Sequence, residues 1–165
     1  MATLQMISPC LWFDGQAEQA AQFYTSIFPD SKILTVSRYG ESGQEVHGQK
    51  PGTAMLVEFT LDGQKFSALN GGPQFRFSEA ISFMVSCETQ VEVDRFWSKL
   101  SEGGDPNAQQ CGWLKDRFGL SWQIVPRVLG ELMSDPDPAR AGRTMQAMLK
   151  MKKLDIAALK RAHAG

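Results

Sequence analysis

The spacing of apolar side chains divides the chain into stretches of two different periods. Residues 6–13, MISPCLWF, form a short apolar run closed by Asp14-Gly15, after which Ala17, Ala20, Ala21, Tyr24, Ile27 and Phe28 recur at the spacing of one helical face. The pattern predicts a strand and then a helix, with Asp14 as its N-cap and Pro29 as its stop. Residues 32–39 alternate as a strand, and residues 40–52, rich in Gly, Ser, Gln and Glu, read as an exposed loop. Met55, Val57, Phe59 and Leu61 alternate with more polar neighbours, and Asp62-Gly63 then turns the chain into a strand over residues 65–70.

After Gly71-Gly72-Pro73 the same programme starts again. Residues 80–86 predict a strand, and Thr89 with Glu92 has the T-x-x-E form of a capping box. The helix it opens carries Val93, Phe96, Trp97 and Leu100 as its stripe and stops at Gly103-Gly104. A weak strand over 105–110, a better one over 111–115, the turn Asp116-Arg117-Phe118-Gly119 and a strand over 120–125 follow, closed by Pro126. Each half thus reads strand, helix, three strands, and Phe23-Tyr24 and Phe96-Trp97 hold matching places on the two helices.

One helix covers only one side of its own sheet, so two such units together make physical sense where one does not. The expected fold class is α+β: two βαβββ modules curling into a mixed-sheet half-barrel, with helices outside and a cavity within. Residues 1–126 form the expected domain, in modules 1–72 and 73–126, and 127–165 a C-terminal helical extension. Asp135-Pro136-Asp137-Pro138 interrupts that extension. Residues 139–164 then read as helical, with Met145, Met148, Leu149, Leu154, Ile156, Ala157 and Leu159 on the apolar side and Lys150 to Lys153 as a solvated basic run. The apolar side suits a partner subunit or the chain's own sheet.

Composition narrows the partners. In 165 residues, 42% apolar and 10% aromatic is enough for a genuine core, and 17 Lys+Arg against 18 Asp+Glu leaves no basic field for nucleic acid. A small molecule or a second copy of the chain is the expected partner. No basic leader and no apolar run of about 18 residues occurs, so neither export by that route nor a membrane span is expected. Cys10, Cys87 and Cys111 stand far apart without a CxxC pair, which suits reduced thiols in the cytoplasm, and with no base beside them they read as small buried hydrophobes.

The segments LWFDGQAEQAAQFYTSIFPDS and WLKDRFGLSWQIVP, with the tail MLKMKKLDIAALKRA, resemble the opening, the last hairpin and the C-terminal extension of the vicinal-oxygen-chelate (glyoxalase/bleomycin-resistance/dioxygenase) superfamily in its PhnB-like branch. The resemblance covers nearly the whole chain. It implies paired βαβββ modules, commonly a homodimer, and a ligand cavity. It also brings the label demethylubiquinone methyltransferase-like. Yet no G-x-G-x-x-G occurs, and the turn after the first strand carries only Asp14-Gly15, so there is no Gly-rich cradle for S-adenosylmethionine.

Active enzymes of the superfamily hold a divalent ion with His or Glu on the first and last strand of each module. Laid on this chain, that pattern falls on Pro9, on Ala68 or Asn70, on Ala80 or Ser82, and on Gln123, where the donors are absent or feeble. No metal and no cofactor is therefore expected. His47 in the loop and His163 in the last helix read as exposed, and Glu58 as the remaining candidate acid on a strand, alternating with Met55, Val57 and Phe59 and so compatible with facing water.

Read by alternation, Leu11, Phe13, Phe66, Ala68, Asn70, Ser82, Met84, Ser121 and Gln123 face inward, while Ile81, Phe83, Val85, Trp122 and Ile124 lie under the helices. Phe13, Phe66, Asn70, Ser82, Gln123 and Trp113, at the mouth of the last hairpin, are the candidate ligand-binding residues. The expected function is metal-free binding of a small, planar or partly apolar molecule. The alternatives are a lyase, isomerase or dioxygenase type of enzyme whose ion is held by other residues, and a pocket filled by its own rings.

Overall fold

The computed structural model describes residues 5–165. Its contacts gather into two units, one ending at Arg76 and the other running from Phe77 to Gly165.

The first unit contains β1 (Cys10–Phe13), α1 (Ala17–Ile27), β2 (Lys32–Arg38), a single turn of helix α2 (Gln44–His47), β3 (Ala54–Leu61) and β4 (Gln64–Asn70). The sheet order is β1-β4-β3-β2, with β1 parallel to β4 and the other pairs antiparallel. The β3–β4 hairpin closes on Asp62 and Gly63, at φ 48° and 72°. Both values belong to the type I′ turn whose twist matches the strands, and Asp-Gly supplies them at little steric cost. Helix α1 buries Ala17, Ala20, Ala21, Tyr24 and Ile27, the face its periodicity predicts. Three alanines on that face let the helix axis lie close to the sheet, and Tyr24 stacks on Phe59 at 6.5 Å, which stacks on Phe66 at 5.6 Å.

One expectation fails at the start of α1. Its N-cap is Gln16 with no side-chain cap, not Asp14. The orphan N–H of Ala17 instead donates to Asn70 Oδ1 at 2.9 Å, from the far end of β4.

The second unit contains β5 (Ser82–Cys87), α3 (Gln90–Ser101), β6 (Trp113–Lys115), β7 (Ser121–Pro126), α4 (Arg127–Met133), α5 (Pro138–Met148) and α6 (Ile156–Ala164). Its sheet has three strands, ordered β5-β7-β6, with β5 parallel to β7 and β6 antiparallel to it. The capping box of α3 is present in full: Glu92 N donates to Thr89 Oγ1, and the Glu92 carboxylate accepts from Thr89 N. The strand expected over 105–110 is absent. Asp105 accepts from Asn107 N and Pro106 opens a 3-10 turn over Pro106–Ala108, leaving one bridge, Gln110 to Trp113. The fold is the α+β class expected, with sheets of four and three strands.

The C-terminal segment is three helices, and the helical reading of 139–164 is broken at 149–155. Cys111 N donates to Met151 O and Gly112 N to Lys152 O, so this segment spends its backbone on the turn before β6. Asp155 then caps α6 by accepting from Ala158 N. Leu129, Leu154 and Leu159 form a small core for the extension, joined by Val125, Leu132, Met133, Met148 and Met151.

Gln90 fastens α6 to the start of α3. Its Nε2 donates to Leu154 O at 3.1 Å, and its Oε1 accepts from Ile156 N at 2.8 Å. Two bonds of about 1 kcal/mol each are at stake, so Gln90→Ala is expected to loosen α6 by about 1–2 kcal/mol. Hydrogen exchange at Ile156 and its successors, faster in the variant while that of β7 is unchanged, is the measurement that checks it.

Candidate functional site

In each unit the helix takes one face of the sheet, and the chemistry available to a ligand lies on the other. In the second unit the division follows the alternation. Leu114, Trp122 and Ile124 are buried, as are Val93, Phe96 and Leu100 on α3, and the ring of the half-buried Phe83 lies 5.6 Å from Trp122. The parallel register pairs Ser82 with Ser121 and Met84 with Gln123, and the antiparallel register pairs Trp113 with Gln123, so these side chains share the opposite face. Gln123 Nε2 donates to Ser82 Oγ at 2.8 Å. Met84 beside it is 63% exposed. Gln123 is thus flanked by an indole on one strand and a thioether on the other, with a hydroxyl bonded to its amide. Ile81, expected under a helix, precedes β5 and is 69% exposed.

In the first unit the expected face is reversed. Leu11, Phe13, Phe66, Ala68 and Asn70 are buried on the side that α1 covers. Asn70 is fully committed there: Oδ1 accepts from Ala17 N, and Nδ2 donates to Ala54 O at 2.9 Å. Phe66 stacks on Phe59 in the same layer. A shift of one residue in the assumed register exchanges the faces of a strand, and β1, apolar on both faces, gave no means of choosing between them. Of the six candidate residues, Ser82, Trp113 and Gln123 come together, whereas Phe13, Phe66 and Asn70 belong to the core of the first unit.

The open face of the first unit carries residues outside the inward set that alternation proposes. The cross-strand register aligns Cys10, Ser67, Glu58 and Thr35 in one row and Trp12, Leu69, Leu56 and Ser37 in the next. Thr35 Oγ1 donates to Glu58 Oε2 at 2.7 Å. Trp12 Nε1 donates to Gly72 O at 2.8 Å, and Phe75 meets the indole edge-on with centroids 4.9 Å apart. The signal that could have found this face is the committed amide of Asn70, but its partners lie 16 and 53 residues away.

The thiols and imidazoles supply no nucleophile–base pair. Cys87 is buried, and desolvation, with the charge of Glu92 adding, pushes its thiol up to about 11, so it stays protonated at neutral pH. Cys10, expected to be buried, is exposed at the edge of its sheet, its thiol raised by partial desolvation. The His47 ring lies 4.5 Å from that of Tyr39, tilted by 33°, and accepts from Gln49 N at Nδ1. His163 is paired with Asp135 at 2.9 Å within the extension.

The positions where the superfamily holds its ion do not fit one. Pro9 and Ala68 bring no side-chain donor, both ends of the Asn70 amide are spent on backbone, and Ser82 and Gln123 are neutral and bonded to each other. Among the described residues no group of three or more His, Cys, Asp or Glu side chains could hold a metal. Nor, among them, is any helix long and apolar enough to cross a membrane.

Residues 5–125 match the family model described as 3-demethylubiquinone-9 3-methyltransferase. Among solved structures, the chain is similar to a PhnB protein from Bacillus cereus at 39% identity, over 74% of this chain and 99% of that one, with a TM-score of 0.63. A protein from Pseudomonas aeruginosa shares the fold at 21% identity, over 75% of this chain and 98% of that one, with a TM-score of 0.56. No curated protein matches. Helices α4–α6 follow the matched segment.

Proposed function

The chain belongs to the family described as 3-demethylubiquinone-9 3-methyltransferase, the PhnB-like branch of the glyoxalase-fold superfamily, and from that premise we propose that it binds a small, planar or partly apolar molecule without a metal, at Ser82, Met84, Trp113 and Gln123. The observation that carries this reading is the bond from Gln123 Nε2 to Ser82 Oγ. It leaves the Ser82 hydroxyl proton as a donor and Gln123 Oε1 as an acceptor, side by side, between a ring and a thioether that can take the faces of a flat guest. A few oriented polar groups on an apolar floor are the usual constitution of a small-molecule site.

The activity in the family's description finds less support. An anionic cofactor group would be expected at a strand-to-helix turn, on unsatisfied backbone N–H groups. At α1 the first N–H is taken by Asn70, and at α3 the capping box takes the N–H groups of Thr89 and Glu92. The proposed domain is residues 1–126, in modules 1–72 and 73–126, with 127–165 as a helical extension. A homodimer is proposed from the branch it resembles, and a cytoplasmic place from the three unpaired thiols.

The test is a thermal-shift screen of planar metabolite-like compounds on the intact chain. A binder present at about 100 times its Kd adds about 2.7 kcal/mol of stability, and its melting-point gain is expected to vanish in Gln123→Ala and to shrink in Trp113→Ala. No gain from any compound, or gains untouched by both substitutions, would overturn the reading. So would a stoichiometric Zn, Ni, Fe or Mn ion surviving dialysis.

A further inference from the structure

The open face of the first unit carries a second constellation, independent of Gln123 and Ser82. Trp12 is fixed in place: its Nε1 bonds Gly72 O, and its ring lies against Gly71, where a Cβ would come within 2.2 Å of the indole. Only glycine at position 71 admits the ring in this pose. Phe75, 65% exposed, meets it at 76°, so the two rings form a corner with the Phe75 ring largely accessible. Leu56 and Leu69 continue the floor of the same row.

Glu58 ends that floor. Its neighbours across the strands are Thr35 and Ser67, both hydroxyls, and among the described residues no cation pairs with it. Lys65, one row further along β4, is not within ion-pair distance, and Arg38 is taken by Glu18 at 3.3 Å. Glu58 stands two strands and one row from Trp12, which at ordinary sheet spacings is about 12 Å between Cα atoms.

We propose that this face binds an organic ammonium compound with a flat apolar body, its ring in the Trp12–Phe75 corner and its charged end at Glu58. The rings supply apolar area and an edge-on and a face-on surface for the flat body of the guest. The Glu58 carboxylate supplies the selectivity: it attracts an ammonium and repels a carboxylate of the same shape. Thr35 holds that carboxylate in position through its hydroxyl, leaving Oε1 to the ligand.

Calorimetric titration of the intact chain with naphthylbutylammonium, and with a naphthyl carboxylate of matching length, is the test. The ammonium is expected to bind about fivefold more tightly, the size of a partly exposed ion pair, and the preference should fade in about 0.5 M salt. Glu58→Gln, isosteric and on the surface, is expected to abolish the preference while keeping the fold. Trp12→Leu is expected to weaken both probes, with the melting curve confirming a folded chain, and Trp113→Ala should leave the preference intact. That last arm separates this site from the one at Gln123. Failure to bind either probe, equal binding of the two, or a preference that survives Glu58→Gln would each overturn the proposal.

Discussion

Asp116→Asn is expected to cost the second unit about 3 kcal/mol and to lower its melting temperature by roughly 10 °C, although the two side chains have the same shape. Asp116 is 2% exposed and sits in the turn between β6 and β7. Its Oδ1 accepts from Phe118 N at 2.8 Å and Leu120 N at 3.1 Å, while Oδ2 accepts from Trp122 Nε1 at 2.8 Å. All three partners donate. An asparagine can turn its oxygen toward the two backbone N–H groups or toward the indole, and either way its NH2 confronts a donor. The cheaper orientation keeps the turn and sets the amide NH2 against the buried Trp122 N–H, donor against donor. Chemical denaturation measures the loss. In a Trp122→Phe background the same Asp116→Asn change should cost much less, because the conflicting donor is gone; equal costs in both backgrounds would sink the explanation.

That turn shows what the sequence makes legible and what it withholds. Local signals held: the Thr89 and Glu92 capping box, the Asp62-Gly63 turn and the apolar faces of α1 and α3 are all encoded within a few residues. In the second sheet the two faces are legible from alternation, because Ser82 and Gln123 alternate with Phe83, Trp122 and Ile124 and so give the strands a polar and an apolar side. β1 has no such polarity. Leu11 and Phe13 alternate with Cys10 and Trp12, so either face could be the buried one, and packing against the alanines of α1 decides. The break at 149–155 was hidden for a related reason. Helical periodicity continues through it, but the backbone there pairs with Cys111 and Gly112, a contact no window of neighbouring residues reveals. At 105–110, Asp105-Pro106 favoured a capped turn over a strand that would have lost a ladder hydrogen bond at the proline.

Asn70→Asp is expected to destabilise the first unit by about 4 kcal/mol near pH 8, and by progressively less as the pH falls. Asn70, 1% exposed, ties the start of α1 to β3 from its place on β4: Oδ1 accepts from Ala17 N, and Nδ2 donates to Ala54 O. A carboxylate in its place keeps the first bond and even suits the positive end of the helix. Its second oxygen, however, faces the Ala54 carbonyl, acceptor against acceptor, and both groups are buried. The substituted side chain can restore the lost bond only by binding a proton and donating it, so folding raises its pKa above the ordinary carboxylate value. The sign follows directly. A group whose folded pKa is raised contributes stability that is fully present below its unfolded value and is lost as the pH rises through the folded one, so the variant approaches the parent in acid and falls away from it toward neutrality. Asn70→Ala, which removes the acceptor and the donor without adding a charge, should lose about 2–3 kcal/mol with no added pH dependence. Parallel denaturation curves from pH 5 to pH 8 separate the two. If Asn70→Asp kept a constant deficit across that range, Asn70 would not be donating to a dry carbonyl, and the assignment of its face of the sheet to the core, with the opposite face left to ligands, would fall with it.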